Sequence, residues 1–344
     1  MTADHKVKFA IVGYGHIGKR HAEMVTAHTE TELVAVTDIL TKAELGAIAH
    51  DVPFHTDMVE MLAAHPGIDV VIICTPNGLH AEQCILALEH RMHVVCEKPL
   101  ALSKAACEAV IYKALQVHRT VFGVMQNRYS PPSQWIKGVL DKDLLGAIHM
   151  VQVNCYWNRD ARYYQKPSWK GTAVLDGGTL FTQFSHFIDT LYWLFGDITE
   201  IQGLFADFMH QDLTAFEDSG LVHFRFLNGG IGCLNYSTAV WDRNMESSLT
   251  VIGSKGSVKI GGQYMDKVEY CHIQDYELPE LSPTNPANDY GVYKGSANNH
   301  AYIIDNVVDT LKGRNTLTTN ALEGLKVVEI IERIYKKRDE QRIR

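Results

Sequence analysis

Three glycines, Gly13, Gly15 and Gly18, follow an apolar run at residues 9–12 in the spacing Gly-x-Gly-x-x-Gly. In this arrangement the first glycine allows a tight turn, the second lets a pyrophosphate approach the backbone, and the third lets a helix pack against a strand. The N-terminus of that helix offers N–H groups and a positive dipole to phosphates. Asp38 ends a second apolar run 20 residues after Gly18, where a carboxylate can accept ribose hydroxyls and repel a 2′-phosphate. The pattern therefore predicts binding of NAD in preference to NADP, with a solvated turn acid as the alternative for Asp38.

Polar residues also stand where later apolar runs of the N-terminal half end, as at Thr75, Glu97 and Gln126. The carboxyl ends of parallel strands meet at one edge of an open sheet, and ligands bind there. These polar residues are therefore expected to gather around the cofactor. The residues predicted to contact it are Gly13, Tyr14, Gly15, His16, Ile17, Gly18, Asp38, Thr75, Pro76, Asn77, His80, Glu97, Lys98 and Gln126.

Lys98 is the residue of this edge best suited to acid–base chemistry. An ammonium beside a nicotinamide can donate a hydrogen bond to a substrate hydroxyl and lower the pKa of that hydroxyl. The neighbouring Glu97 would pair with Lys98 or hold it in place. On position alone, the alternative is a surface lysine in a turn before Pro99.

A helix predicted at residues 179–195 carries a polar stripe of Thr182, His186 and Asp189, next to Gln183. Residues at i, i+4 and i+7 share one helix face. Buried polar groups need a partner or a purpose, so this stripe on an otherwise aromatic helix indicates a site. A single histidine on a helix is more often structural, and that alternative stays open.

A basic and aromatic segment lies just upstream of that helix. It contains Trp157, Arg159, Arg162, Tyr163, Tyr164, Lys166, Trp169 and Lys170. Arginine holds a carboxylate or phosphate through parallel hydrogen bonds, and aromatic rings can stack on a sugar or a uracil. An anionic sugar nucleotide would need such a cluster, whereas a neutral polyol would not. The alternative is a solvated loop or an oligomer contact.

The elements that must position these residues divide the chain in two. Residues 1–126 alternate apolar runs with helical patterns, which predicts an α/β domain with a doubly wound parallel sheet of the Rossmann type. Residues 127–344 carry longer strands separated by hairpin turns, and several of these strands alternate apolar with polar residues. This half predicts an α+β domain with a mostly antiparallel sheet that binds substrate. An open face of that sheet predicts a homo-oligomer, either a dimer or a tetramer.

Composition argues against several classes of function. The net charge is −8 and no long Lys/Arg run occurs, so nucleic acid and anionic membranes are poor partners. The N-terminus is polar and no apolar stretch reaches the ~18 residues of a membrane span, so neither a signal peptide nor a membrane anchor is expected. Seven cysteines are scattered without CxxC pairs, which predicts reduced core residues, no metal site and a cytoplasmic protein.

Three motifs together resemble one known family, the glucose–fructose oxidoreductase / inositol dehydrogenase / rhizopine-catabolism family. They are Gly13-x-Gly15-x-x-Gly18, Thr75-Pro-Asn-x-x-His80 and Glu97-Lys98-Pro99. The resemblance covers essentially the whole chain, and it implies that Lys98 is a catalytic residue. It also implies that the helix at residues 179–195 presents a His-x-x-Asp pair to the nicotinamide, with His186 as general base and Asp189 as a substrate or supporting contact.

The chain departs from many members of that family at one position. Inositol dehydrogenases, among others, have an aspartate four residues before the histidine, where this chain has Thr182. Gln183 and the run from Trp169 through Asp176-Gly-Gly to His186 look more like the UDP-N-acetylglucosaminuronate 3-dehydrogenase branch. Without the aspartate, His186 must take its orientation from elsewhere.

The sequence therefore predicts an NAD-dependent dehydrogenase that oxidises a secondary hydroxyl of a sugar or sugar nucleotide, of the UDP-N-acetylhexuronate 3-dehydrogenase type. The residues expected to bind substrate are Lys98, Asn127, Arg128, Arg159, Tyr163, Tyr164, Trp169, Thr182, Gln183, His186 and Asp189. An inositol or free pyranose dehydrogenase is one alternative. A non-catalytic NAD-binding sensor is another, because fold alone does not imply catalysis, but a sensor would need only the glycine turn and Asp38.

Overall fold

The computed structural model describes residues 5–46, 48, 51–165, 168–291 and 293–342. The chain divides into two compact units. Unit 1 comprises Met1–Met125 and His300–Val328, and unit 2 comprises Gln126–Asn299 and Glu329–Arg344. The boundary expected from the sequence, between 126 and 127, differs from this division because it assigns residues 300–328 to the second domain. In the structure these residues belong to unit 1, where Val307 and Val308 are fully buried.

Unit 1 is built on one parallel sheet. Its strands are β1 (Val7–Val12), β2 (Thr31–Thr37), β3 (Phe54–His55), β4 (Val70–Ile73), β5 (His93–Cys96) and β6 (Val121–Gly123). Its first five helices are α1 (His16–Ala27), α2 (Lys42–Leu45), α3 (Met58–Ala64), α4 (His80–Glu89) and α5 (Lys104–Val117). The strands lie in the order β3-β2-β1-β4-β5-β6, and all neighbours are parallel. The predicted doubly wound sheet is confirmed.

Local sequence explains why these elements form where they do. Every residue of β4 is buried, as expected for a central strand covered on both faces. The side chain of Asp57 accepts a hydrogen bond from the backbone N–H of Glu60 at the start of α3, and Ser103 accepts one from Ala106 at the start of α5. Both side chains thus cap the helix that follows them.

Unit 2 contains a larger, mixed sheet. Its helices are α6 (Pro131–Asp141), the short α7 (Thr179–Thr182) and α8 (Ser185–Phe195). Its strands are β7 (Ile148–Tyr156), β8 (Ile198–Ala206), β9 (Ser219–Phe226), β10 (Ile231–Ser237), β11 (Glu246–Gly253), β12 (Gly256–Gly261), β13 (Lys267–Ile273), β14 (Ala287–Asp289) and β15 (Lys294–Ala297). Seven strands form one sheet in the order β13-β12-β11-β7-β10-β9-β8, and β14 pairs with β15 separately. Only β7 and β10 run parallel in the large sheet, so the mostly antiparallel prediction is confirmed.

The large sheet has one packed face and one outward face. Along β9, Val222, Phe224 and Phe226 are buried, whereas Leu221 and the residues that alternate with them are exposed. This period of two places the apolar set against the core of unit 2. Leu204, Leu221 and Ile231 nevertheless expose large apolar side chains on strands β8, β9 and β10.

The helix predicted at residues 179–195 is interrupted in the structure. α7 ends at Thr182 and α8 begins at Ser185, with Phe184 in a non-helical conformation before it. The side chain of Gln183 bonds to Arg159 and to Tyr163, which fixes the chain at this point. Thr182 and His186 therefore do not lie on one continuous helix.

Two further helices, α9 (His300–Leu311) and α10 (Ala321–Arg342), close the chain. At the start of α10, Asn320 and Glu323 each accept a hydrogen bond from the backbone N–H of the other, which forms a capping box. The division between the units passes through α10, between Val328 and Glu329. Among the helices of the described residues, none is long and apolar enough to cross a bilayer.

Candidate active site

The glycine turn between β1 and α1 has the shape that a dinucleotide requires. Gly13 has a φ of +89°, and a Cβ atom there would lie 2.8 Å from the backbone of Cys74. A Cβ atom on Gly18 would lie 1.9 Å from the carbonyl oxygen of Gly13. A Cβ atom on Gly15 would meet no described atom within 4 Å. The fold itself therefore demands two of the three glycines, and Gly15 leaves open space where a pyrophosphate can approach.

The N-terminus of α1 follows this open space. Gly15 and His16 are exposed there and Ile17 is half-buried. The first turn of α1 contains no acidic residue, so no carboxylate from this turn competes with a phosphate for its N–H groups.

Asp38 directly follows β2 and is fixed by two backbone groups. Its Oδ2 accepts a hydrogen bond from the N–H of Tyr14 at 2.7 Å, and its Oδ1 accepts one from Leu40 at 2.9 Å. Carboxylate oxygens can accept more than one bond, so both keep capacity for ribose hydroxyls. These residues fit NAD, which the glycine turn, the start of α1 and Asp38 would hold.

His80 braces two of the loops that follow strands. One ring nitrogen lies 2.7 Å from the carbonyl oxygen of Pro99, and the other lies 2.8 Å from the carbonyl oxygen of Thr75. Pro76 precedes a 3₁₀ turn in which Asn77 is buried. The geometry thus gives His80 a bracing role, and contact of this segment with the cofactor stays a prediction.

Glu97 and Lys98 follow β5 directly. Glu97 is buried, and its Oε1 lies 2.8 Å from Nε2 of His21 and 3.6 Å from Nε2 of His300. Lys98 is half-buried. The carboxylate therefore has two histidine partners inside unit 1, and the link to His21 is one that the sequence pattern does not indicate.

Unit 2 begins with the predicted residues Gln126 and Asn127. The side-chain oxygen of Gln126 accepts a hydrogen bond from the backbone N–H of Asn299 at 3.0 Å. This bond joins the beginning of unit 2 to the residue that precedes α9. Asn127 is buried, and its Oδ1 has no hydrogen-bond partner among the described residues. A buried acceptor without a partner is costly, which favours a ligand contact for Asn127.

Arg128 and Asp189, both predicted substrate contacts, pair with each other. The guanidinium donates to the two carboxylate oxygens at 2.8 and 2.6 Å, and each side chain is 1% exposed. The guanidinium also lies 5.3 Å from the centre of the Trp193 ring. The geometry therefore favours a structural role for both, in which the pair fixes α8.

The region of Thr182 and His186 contains a carboxylate that the sequence prediction omitted. His186 lies in α8 and is buried. The hydroxyl of Thr182 donates to the carboxylate of Asp176, which is 1% exposed and also accepts the N–H of Gly171 at 2.7 Å. An acidic group therefore lies beside Thr182, where many family members carry an aspartate. In the sequence, Asp176 was noted only as part of the run Asp176-Gly-Gly.

Arg159 lies in a cage of neutral groups. It is 1% exposed, and its Nε donates to the side-chain oxygen of Gln183 at 2.7 Å. Its other hydrogen bonds go to Asn244 and to backbone carbonyl oxygens, while the rings of Trp157, Tyr163 and Tyr293 lie 4.8 to 5.3 Å from the guanidinium. Within the described part of the chain, no carboxylate forms an ion pair with Arg159.

Lys170 adds a second cation to the same cluster. Its Nζ lies 3.9 Å from the ring centre of Tyr163 and 4.9 Å from that of Tyr293. Burial and the nearby Arg159 lower the pKa of Lys170 to about 8, although Asp176 acts in the opposite direction. Arg159 and Lys170 therefore both lie over the rings of Tyr163 and Tyr293, and two positive charges so placed can bind an anion.

The other members of the basic and aromatic segment differ in exposure. Tyr164 is buried against Tyr163, and Trp169 is half-buried. Arg162 is exposed and pairs with Asp160 at 2.7 Å, as expected for a solvated surface residue. Lys166 lies outside the described residues.

Two family models match the chain. Residues 7–124 match the one described as "Oxidoreductase family, NAD-binding Rossmann fold", and residues 133–259 match the one described as "GFO/IDH/MocA C-terminal domain". Together they cover most of both units.

Individual relatives are similar over most of their length. The WlbA dehydrogenase from Chromobacterium violaceum, solved with NADH and UDP-GlcNAcA, is 30% identical, covers 98% of this chain and 96% of its own, and has a TM-score of 0.86. The 2,7-anhydro-N-acetylneuraminate hydratase of Mediterraneibacter gnavus is 28% identical over 74% of this chain and 67% of its own. The inositol 2-dehydrogenase of Rhizobium meliloti is 26% identical over 80% of this chain and 82% of its own.

The glycine turn, the parallel sheet, both family models and these relatives agree. The chain belongs to the GFO/IDH/MocA family of NAD-dependent sugar oxidoreductases.

Proposed function

We propose that the protein oxidises a secondary hydroxyl of an anionic sugar nucleotide, at C3 of a UDP-N-acetylhexuronate, with NAD as the hydride acceptor. The observation that carries the proposal is the pair of cations, Arg159 and Lys170, in a cluster whose described hydrogen-bond and ring partners are neutral. The similarity to the WlbA dehydrogenase solved with UDP-GlcNAcA supports the same class of substrate.

A buried cation without an anionic partner carries a desolvation penalty that neutral hydrogen bonds offset only in part. Arg159 donates four hydrogen bonds to neutral oxygen atoms. These bonds fix the guanidinium in place but leave its positive charge without a counter-charge. Lys170 is only half-buried, which makes it the cation that a ligand can reach. A carboxylate or phosphate of the substrate would neutralise this pair, whereas an uncharged polyol would not.

Chemistry on the hydroxyl requires removal of a proton and of a hydride. NAD, when bound, supplies the hydride acceptor: the C–H bond breaks with its electron pair and the carbonyl forms. His186 takes the hydroxyl proton as general base, and Lys98 donates a hydrogen bond to the oxygen on which charge develops. Asp176, through Thr182, supplies the acidic group of this region in place of the aspartate at position 182 of other family members.

The outward face of the large sheet is proposed to bind a second copy of the chain. Exposed Leu204, Leu221 and Ile231 place apolar area on adjacent strands, which soluble proteins usually cover. The protein would then be a homo-oligomer, either a dimer or a tetramer.

The function is tested by following the NADH absorbance band after mixing protein and NAD with UDP-N-acetylglucosaminuronate or with inositols. Parallel samples contain 2-oxoglutarate, in case bound cofactor must be recycled. We expect reduction by the nucleotide, and a loss of about 10²–10⁴-fold in turnover for Lys98→Ala because general acid–base help is removed. NADH titration of that variant, run in parallel, separates a loss of turnover from a loss of cofactor.

Lys113→Ala is the matched control, since Lys113 pairs with Glu89 on the surface of unit 1 and should leave turnover unchanged. Reduction by an inositol alone would contradict the nucleotide substrate and keep the family. Full turnover of Lys98→Ala would contradict the mechanism. Intact NAD binding without reduction by any sugar would favour a sensor.

A further inference from the structure

We propose that His21, Glu97 and His300 form a buried positioning triad that holds the backbone of Glu97 and thereby fixes the direction of the neighbouring Lys98. The inference rests on the catalytic role proposed for Lys98. It concerns unit 1 alone, because all three residues and Lys98 belong to that unit.

The triad joins three separate segments of unit 1. His21 lies on the buried side of α1, Glu97 directly follows β5, and His300 begins α9. His21 and His300 are both almost fully buried, and their rings meet edge to face with centroids 5.3 Å apart. The Oε1 atom of Glu97 lies 2.8 Å from Nε2 of His21 and 3.6 Å from Nε2 of His300. The carboxylate is therefore approached from two sides by ring nitrogens.

The protonation pattern follows from the partners. Burial opposes ionisation of Glu97, but the nearby His21 and His300 outweigh it and hold the pKa of its carboxyl well below the ordinary value. Burial lowers the pKa of His300, which favours the neutral ring, although Glu97 acts in the opposite direction. Nδ1 of each histidine is buried and has no hydrogen-bond partner among the described residues. An orphaned N–H donor would cost more than a bare lone pair, so Nε2 carries the proton in each ring. The Nε2–H of His21 donates to Glu97 at 2.8 Å, and that of His300 faces the same oxygen at 3.6 Å.

The same atoms lie close enough together to hold a metal ion, but their surroundings favour hydrogen bonds. A histidine bound to metal through Nε2 almost always donates its Nδ1–H to a carbonyl or carboxylate. Neither Nδ1 has such an acceptor in the described part of the chain. A metal would therefore leave two buried donors without partners.

The consequence for Lys98 comes from its position in the chain. The second carboxylate oxygen of Glu97 accepts from the backbone N–H of Lys98 at 3.4 Å. An immobile Glu97 thus restrains the residue from which the lysine side chain extends. Misplacement of a catalytic group by about 1 Å can cost roughly 10²-fold in rate, so restraint of this kind affects turnover more than binding.

The first test is a double-mutant cycle on turnover, measured with whichever sugar reduces NAD. Glu97→Gln is expected to lower kcat by about 10-fold or more, with little change in KM for the sugar. In a Lys98→Ala background the same change should lower kcat no further, because Glu97 acts through Lys98. Equal losses in both backgrounds, with Lys98→Ala itself impaired, would overturn the triad and leave the proposed function intact. Full turnover of Lys98→Ala would overturn both.

Paired substitutions separate positioning from packing. His300→Gln and His21→Gln keep an N–H donor for Glu97 and should retain most of the wild-type kcat, whereas His300→Leu and His21→Leu remove the donor and should lower it. Equal activity of the Gln and Leu variants would overturn the inference.

Nitrogen-15 NMR of the whole protein, without substrate, gives a readout independent of turnover. Both rings are expected in the Nε2–H form with an unprotonated Nδ1. An Nδ1–H form, or stoichiometric zinc that survives dialysis against a chelator, would contradict the hydrogen-bonded triad.

Discussion

Two arginines of unit 2 are equally buried but differ in how their charge is met. Arg128 and Arg159 are each 1% exposed. Arg128 donates to both oxygens of Asp189, so its charge is neutralised inside the protein. Arg159 has only neutral acceptors and aromatic rings in the described structure. The first arginine thus has a structural role, whereas the second would gain an ionic partner on binding the proposed anionic substrate.

Because the pKa of Lys170 is lowered, we expect binding of the anionic substrate to depend on pH. A charge-assisted hydrogen bond contributes about 1.5–3 kcal/mol, so Lys170→Met should raise KM for the anionic nucleotide by about 10–100-fold with little change in kcat. The pKa of Lys170 is lowered to about 8, so the side chain is protonated below that pH and binds the anion. In the wild-type enzyme KM should rise as pH increases through about 8, and in the variant it should not. Initial rates over substrate concentration and pH measure both effects.

Arg162→Met is the matched control, because Arg162 is exposed in the same segment and pairs with Asp160. It should leave KM and its pH dependence unchanged. An equal rise in KM for both variants would show a general loss of positive charge and not a specific contact.

Part of the site could be predicted from residue types alone. The cluster of Arg159 and Tyr163 could be predicted because basic and aromatic side chains that are close in sequence indicate a site for an anion and a ring. The pairing of Arg128 with Asp189 could not, since the partners are 61 residues apart and meet only through the fold. The same applies to His21 and Glu97, which are 76 residues apart.

At the scale of elements, the glycines of the turn have separable roles. Gly15→Ala should weaken NADH binding by about 10-fold or more with stability changed by less than about 1 kcal/mol, because the methyl meets only open space where the pyrophosphate approaches. Gly18→Ala should destabilise unit 1 by roughly 1–3 kcal/mol or more, because its methyl would overlap the carbonyl oxygen of Gly13. NADH titration and chemical denaturation measure the two effects.

Gly138→Ala in α6 serves as control, since a Cβ atom there meets no described atom within 4 Å. It should leave NADH binding unchanged and stabilise the helix by about 0.5–1 kcal/mol. Unchanged NADH affinity in Gly15→Ala would contradict the proposed path of the pyrophosphate.

Most elements could be predicted because apolar periodicity and caps act locally. The strands of unit 1 and the caps at Asp57 and Ser103 follow from such local signals. The break between α7 and α8 does not, because periodicity continues through it. It arises where Gln183 bonds to Arg159, which is distant in sequence. Tertiary contacts thus overrule a helical pattern at the point where substrate contacts were predicted.

For the whole molecule, the exposed apolar side chains on the outward face of the large sheet predict a homo-oligomer. Leu221→Glu on β9 should lower the mass measured by light scattering to that of a smaller species, because a buried charge opposes association. NADH binding by unit 1 should persist. Leu115→Glu on α5 is the control, as Leu115 is exposed to a similar degree on unit 1, and it should leave the mass unchanged. A monomeric wild-type protein would contradict the proposal.

The division of the chain into units was the least predictable feature. Composition and periodicity change near residue 126, but they carry no sign that the chain returns to unit 1 at His300. That return depends on contacts such as Lys312 and Arg314 with Glu30, more than 280 residues away. Local patterns therefore indicate one boundary near residue 126 and give no indication of a second.

This division also distributes the natural fluorophores unevenly. The five tryptophans, at positions 135, 157, 169, 193 and 241, all fall in unit 2, and the dinucleotide motif falls in unit 1, which has none. Tryptophan emission therefore reports on unit 2 alone without any engineering, whereas circular dichroism reports on both units. Melting curves from the two signals would coincide for a single cooperative transition and separate if the units unfold in turn.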